Sequence, residues 1–196
     1  MSLSSITARD PVAGWSIART IKIEGGLTED PRDGGGVTNY GVSLRWALRQ
    51  LRADPSQARW LDIDHDGHVD RRDIEGLTVD EAADIYFADW WLTGWFDQAV
   101  PVIMAWKCFD VAVNTGPKRS AIILQKALVV VGERVGVDAI VGPLTIAAVA
   151  AQNGRDSGVA LLGAVRAGQA AFYRRLAVLE PRLSDYLKGW LIRAAL

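Results

Sequence analysis

Cysteine is nearly absent. The single Cys108 in 196 residues excludes an intramolecular disulfide framework and a cysteine-ligated zinc ribbon. Histidine is almost as scarce. His65 and His68 leave little for a His-based zinc site, and no Ser-His-Asp arrangement stands out. Long apolar runs are missing too. Stretches such as Ala127 to Val131 fall far short of the roughly 20 residues needed to span a bilayer, so no membrane insertion is expected. Met1 to Trp15 carries Arg9 and Asp10 where a secretory signal needs an apolar run, so cytoplasmic synthesis without a signal peptide is expected. A net charge of −1 and a pI of about 6.1 give a nucleic-acid partner no support.

What is present suits a folded core: 49% apolar and 23% charged residues in a length of one domain, or one domain plus a small appendix. The small net charge hides a split. Residues 1–100 hold 10 basic against 17 acidic side chains, and residues 101–196 hold 12 against 6. Two functional halves explain this, and so does one acidic loop at 62–73, where five Asp meet two Arg. Eight tryptophans are a high number. Core packing is their common use and carbohydrate clefts another. Most of Trp90, Trp91, Trp95 and Trp106 are expected in the core, with one or two in a cleft.

Helical signals dominate. Ile17 and Ile21 place a helix over Val12 to Glu24, stopped by Gly25 and Gly26. The glycine-rich stretch 25–42 reads as a loop or short hairpin. Ser43 caps a second helix, and Thr78 with Glu81 forms a capping box for a third running to about Trp90. Pro101, Pro117 and Pro143 each open a helix. The third ends at Asn153–Gly154, and further helices are expected at 158–178 and 183–194. The fold class is mainly α with one small β hairpin or irregular loop. Cys108 shares the core stripe of Met104 and Val111 and reads as a buried, inert thiol.

Glu24 is placed unlike a stabilising residue. At a helix C-terminus the macrodipole disfavours an anion, where a helix built for stability would carry Lys or Arg. Two glycines follow and leave room for a ligand. A general acid in glycoside hydrolysis needs a carboxyl that keeps its proton on the floor of a cleft. A surface Glu before a glycine cap is the plain alternative.

The residues after Glu24 bear on that choice. Glu24-Gly25-Gly26 is followed by Asp33-x-Gly35-Gly36-x-Thr38-x-x-Gly41. This run resembles the signature of glycoside hydrolase family 108, the N-acetylmuramidases of phage endolysins and secretion-activator-like proteins. It is similar as well to the Glu, Asp, Thr triad of phage-type lysozymes. Leu27 stands where the family has an aromatic residue. Asp110-x-x-x-Asn114-x-Gly116-Pro117 resembles a further family element. Leu124-Gln125, Gly142-Pro143-Leu144-Thr145 and Gly189 to Arg193 resemble the predicted peptidoglycan-binding segment that usually follows. Ala139 stands where that segment has Gly.

The resemblance implies a lysozyme-like fold, with a catalytic part over 1–100 and a helical peptidoglycan-binding part over 101–196, packed as one globular unit. It implies that Glu24, Asp33 and Thr38 are catalytic and that Gly25, Gly26, Tyr40, Asn114 and Gly116 bind substrate. For Asn114 and Gln125, helix-end capping or core hydrogen bonding is an equal reading. The implied activity cuts the β-1,4 bond between N-acetylmuramic acid and N-acetylglucosamine, by inversion if phage-type lysozymes are the guide. A lytic transglycosylase needs the Glu but no water-activating partner, so Asp33 and Thr38 argue against one. A non-catalytic peptidoglycan-binding or secretion-assisting module is the alternative function. The implied partner is bacterial peptidoglycan, met by a monomer at the cell wall after holin-mediated release or another export route.

Asp62 to Asp73 reads independently as a 12-residue EF-hand-like calcium loop. Asp occupies positions 1, 3, 5, 9 and 12, Gly67 position 6 and Val69 position 8. Asp62, Asp64, Asp66, the His68 carbonyl and Asp73 are the expected ligands of a structural Ca²⁺, with Mg²⁺ as the alternative ion. An acidic surface loop is the other reading.

Overall fold

The computed structural model describes residues 1–29, 36–99 and 101–196, which fall into two compact units, Met1–Thr93 and Gly94–Leu196. The first opens with α1 (Leu3–Arg9) and α2 (Pro11–Glu24). Asp10 serves both ends of a local problem: its Oδ1 caps α2 by accepting from Ala13 N–H, while its Oδ2 accepts from the Trp91 indole. Pro11 sits in the first turn, where its missing N–H costs nothing. Ala13, Ile17 and Ile21 are buried, and α2 ends as Gly25 turns to φ +77.

A three-stranded antiparallel sheet follows, β1 (Thr28–Glu29), β2 (Val37–Asn39) and β3 (Val42–Ser43), in that spatial order. Thr28 pairs with Thr38, and Asn39 with Val42. Tyr40 and Gly41 alone connect β2 to β3, at φ +49 and +82, the positive pair that a type I′ turn requires. Val37 and Asn39 are buried, so Thr38 between them lies on the opposite face.

Ser43 caps α3 (Leu44–Ala53) as its sequence predicts. After a 3₁₀ turn at Pro55–Gln57 come α4 (Ala58–Leu61), the acidic loop, α5 (Arg71–Gly76) and α6 (Val79–Ile85). Thr78 and Glu81 form the expected capping box of α6. The helix expected to reach Trp90 does continue, but as a π-helical segment over Tyr86–Trp91. Asn39 ties the sheet to α5: its Nδ2 donates to the carbonyls of Ile74 and Leu77 at 3.0 and 3.2 Å. Arg71 adds a fork onto Glu29 at 2.9 and 2.8 Å, which holds that exposed carboxyl below the usual range.

The second unit holds a 3₁₀ turn (Phe96–Gln98), α7 (Val102–Thr115), α8 (Pro117–Val130), α9 (Pro143–Asp156), α10 (Val159–Leu179) and α11 (Leu187–Ala195). All of 104–112 on α7 is buried, so this helix is enclosed on every side. The single stripe of Met104, Cys108 and Val111 understates that. α10 packs against α7, α8, α9 and α11. The α9 helix passes through Asn153–Gly154 and stops at Ser157 in the left-handed region. The last helix starts later than expected, because a 3₁₀ segment occupies Pro181–Tyr186. Trp91 and Trp106 are core residues, whereas Trp15 and Trp60 are exposed. Cys108 is buried, which pushes its thiol up to about 12 and leaves it inert.

Candidate active site

Glu24 is half-buried at the last position of α2. Gly41, at the tip of the β2–β3 turn, lies directly against it. A Cβ built on Gly41 would come 2.7 Å from Glu24 Cγ, 3.0 Å from Cδ and 2.2 Å from the Tyr86 hydroxyl. Any side chain there would displace the carboxyl, the phenol or the turn. Gly41 therefore answers two demands at once, a positive φ and a close approach. Gly25 and Gly26 are open instead: nothing lies within 4 Å of a Cβ built on either. Leu27 beyond them is exposed. The carboxyl is thus backed by the turn and flanked by bare backbone.

The fold brings Glu24, Gly25, Gly26 and the Tyr40–Gly41 turn together. Thr38 belongs to the same hairpin, half-buried on the face away from Val37 and Asn39. Asp33 lies outside the described residues. Two residues of this neighbourhood were not singled out from sequence. Tyr86 is 2% exposed and donates to the Tyr40 carbonyl at 3.0 Å. Asn39 anchors the hairpin. An aromatic in the run Tyr86-Phe87-Ala88-Asp89-Trp90-Trp91 reads as core, and an Asn before a Tyr-Gly turn reads as turn chemistry, so neither carried a distinct signal.

In the acidic loop, oxygens of Asp62, Asp64 and Asp66 lie within 4.8 Å of one another. Their carboxylates also accept from the loop's own backbone: Asp62 from Asp66 and Gly67, Asp64 from Asp66, and Asp66 from His68. Asp73, at position 12, accepts from the backbone around the loop. It is buried, with Oδ1 accepting from Ile63 and Asp64 and Oδ2 from Asp70, and it completes a capping box with Asp70 at the start of α5. Position 12 of the loop coincides with N3 of a helix, where a carboxylate is drawn to the free amides. Arg72 bridges Asp66 and Asp70 at 2.9 and 3.3 Å, and its N–H and guanidinium hold the Asp70 carboxyl below the usual range. Three clustered carboxylates fit a hard cation, with Asp73 fastening the loop.

A groove of about 400 Å³ is lined by Trp60, Phe87 and Leu92 among others. Asp89 borders it, and burial raises its carboxyl. Ile85 and Phe87 line this groove while Tyr86 between them reaches Gly41, so it is separate from Glu24.

Asn114 and Gly116 lie in the second unit. Asn114 Oδ1 accepts from the Tyr173 hydroxyl at 2.6 Å, which in turn accepts from Gln169 at 2.9 Å. Tyr173, Trp190 and Tyr186 stack in series. Gly116, at φ +91, ends α7 and opens α8, whose first free amides at Arg119 and Ser120 donate to its carbonyl. Gln125 is buried and clamps the 138–140 loop with four hydrogen bonds, to Asp138, Ala139 and Ile140. Gln125 makes core hydrogen bonds, whereas Asn114 is exposed near the end of α7 and pairs with Tyr173 there.

Residues 17–116 match the family described as Glycosyl hydrolase 108, and residues 119–195 match the family described as Predicted Peptidoglycan domain. The first match covers just over half of the chain. The chain belongs to the glycosyl hydrolase 108 family. Among solved structures, that of Brucella abortus SagA is similar, at a TM-score of 0.67 and 24% identity over 94% of this chain and 90% of that one. At such identity the likeness bears on the fold alone. No curated protein matches the chain.

A glycosyl hydrolase 108 region followed by a peptidoglycan domain makes the chain a peptidoglycan hydrolase. The border between the two matches does not follow the compact units. The glycosyl hydrolase 108 segment takes in α7, and the peptidoglycan segment covers α8 to α11, while α7 to α11 share one unit. Asp110 from the first segment pairs with Arg193 from the second, so buried charge fastens the glycosyl hydrolase 108 segment to the domain that follows it.

Proposed function

We propose that this peptidoglycan hydrolase is an endolysin-type N-acetylmuramidase, cleaving the β-1,4 bond between N-acetylmuramic acid and N-acetylglucosamine. Glu24 is the general acid and passes its proton to the glycosidic oxygen as the bond to the anomeric carbon breaks. The placement of Glu24 supports this most: a half-buried carboxyl backed by Gly41 and flanked by the open Gly25–Gly26 backbone. Asp33, or a water held by Asp33 and Thr38, serves the opposite face of the sugar. Inversion follows by analogy with phage-type lysozymes. Gly25, Gly26 and Tyr40 contact the glycan. Asn114 and Gly116 are further substrate-binding residues of this reading.

Asp62, Asp64, Asp66, the His68 carbonyl and Asp73 hold a structural Ca²⁺, and Asp73 also braces their loop through its backbone hydrogen bonds. The ion supplies charge neutralisation and takes no part in the chemistry. The protein acts as a monomer at the cell wall, reached by holin-mediated release or another export route.

Mass spectrometry of muropeptides released from purified sacculi tests the reaction. Reducing N-acetylmuramic acid ends are expected. Anhydro ends identify a transglycosylase, and no release identifies a binding module. Glu24→Gln should keep the melting curve and lose most release, because an amide cannot donate the required proton. Wild-type release by that variant would falsify the assignment of the acid.

A further inference from the structure

We infer that Tyr86 is a positioning residue for the Glu24 carboxyl: its buried hydroxyl pins the Tyr40–Gly41 turn in the place that sets where the carboxyl sits. The inference rests on Glu24 being the acid. Three elements meet at one point here. A single Cβ position on Gly41 comes within 2.2 Å of the Tyr86 oxygen and within 3.0 Å of Glu24 Cγ and Cδ. Turn, phenol and carboxyl therefore crowd one point, so a shift of the turn is felt at the carboxyl.

Each element supplies something the others lack. Glu24 stands on the final residue of α2, with helical backbone on one side only. Tyr40 and Gly41 hold left-handed conformations, which Tyr in particular adopts only when its surroundings insist. Tyr86 begins the segment that continues α6, with buried Ile85 and Phe87 as neighbours, and so gives a fixed reference in the core. Its bond to the Tyr40 carbonyl spans 46 residues. Phenylalanine would fill the same core volume. A hydroxyl on a residue 2% exposed must be satisfied, and the Tyr40 carbonyl accepts its one proton. Misplacing a catalytic group by about 1 Å can cost on the order of 100-fold in rate. Loosening the turn should be felt in turnover more than in binding.

The test compares variants of the full chain on soluble disaccharide-repeat fragments of peptidoglycan. Tyr86→Phe should lower kcat about 10-fold, with KM within about twofold of wild type, the split expected when an interaction matters only in the transition state. Ile6→Val, a buried change in α1 of comparable stability cost, should leave kcat unchanged and so separate positioning from stability. Gly41→Ala should lower kcat by about 100-fold or more, since its Cβ overlaps both partners. Combining Gly41→Ala with Tyr86→Phe should lose no more than Gly41→Ala alone, because both act through one displacement. Unchanged kcat in Tyr86→Phe, a loss confined to KM, an equal loss in Ile6→Val, or losses that multiply in the double variant each overturn the inference. Glu24→Gln is measured alongside. If it stays active, the premise about the acid fails; if it is inactive while Tyr86→Phe is normal, the Tyr86 inference fails alone.

Discussion

Arg193 reaches Asp110 through two nitrogens, Nε at 3.0 Å and Nη2 at 2.8 Å, both on the same carboxylate oxygen. The pair spans 83 residues and is almost sealed from water, with Asp110 fully buried. Lys107 completes the arrangement. Its ammonium donates to the Arg193 carbonyl at 3.0 Å and stands 4.0 Å from the second oxygen of Asp110. Burial pushes Lys107 down to about 8, and nearby Asp110 offsets part of that.

The geometry predicts unequal costs for removing the two cations. Arg193→Met strips Asp110 of both its hydrogen bonds and should cost about 3–5 kcal/mol. Lys107→Met leaves the Arg193–Asp110 pair intact and removes a charge that burial already disfavours. It should cost about 1 kcal/mol or less. Urea unfolding of both variants measures the contrast. Equal losses would mean that the pair is not the main fastening.

Ala139 carries a second prediction. It adopts φ +66 in the loop that Gln125 clamps. A left-handed conformation costs an L-residue about 1–2 kcal/mol, while glycine costs roughly 0.5–1 kcal/mol in chain entropy. Ala139→Gly should therefore raise stability by up to about 1 kcal/mol, seen as a higher melting temperature. Gln125→Leu should act oppositely, by about 2 kcal/mol, since it leaves the Asp138 and Ala139 amides without their acceptor. A lower melting temperature for Ala139→Gly would show that the strain lies elsewhere.

Metal binding is tested by chelation. If Ca²⁺ occupies the Asp62, Asp64 and Asp66 cluster, it should add about 2.7 kcal/mol at 100 times its Kd. Chelator should lower the melting temperature, and Asp62→Ala with Asp64→Ala should abolish that shift. Lysis measured well below melting should persist in chelator. A melting temperature indifferent to calcium and chelator alike would leave an acidic loop held only by its own amides and Arg72.

Asp33 stands nine residues after Glu24, immediately before Gly34, Gly35 and Gly36. Its charge should matter as positive character grows at the anomeric carbon. Asp33→Asn should accordingly lower turnover more than it weakens binding of glycan fragments. Collapse of binding with turnover of bound substrate retained would make Asp33 a binding residue.

Much of the helical order was legible because its signals are local. Ser43, the Thr78–Glu81 box, and the prolines opening α8 and α9 act within one turn, so neighbours along the chain suffice to read them. The Glu24-Gly25-Gly26 and Thr38-x-x-Gly41 elements were legible for the same reason, as a helix end and a turn. One position serves two local rules: Asp73 is both position 12 of the calcium-like loop and N3 of α5, and its capping of α5 was not legible from the loop pattern. What the tertiary structure alone decided is which distant groups share a point. Tyr86 against Tyr40 and Gly41, and Arg193 against Asp110, lie 45 or more residues apart in sequence. Their hydrogen bonds depend on how buried surfaces pack rather than on any short-range preference. Nothing in a residue's neighbours along the chain marks a phenol or a guanidinium for a partner that only folding delivers.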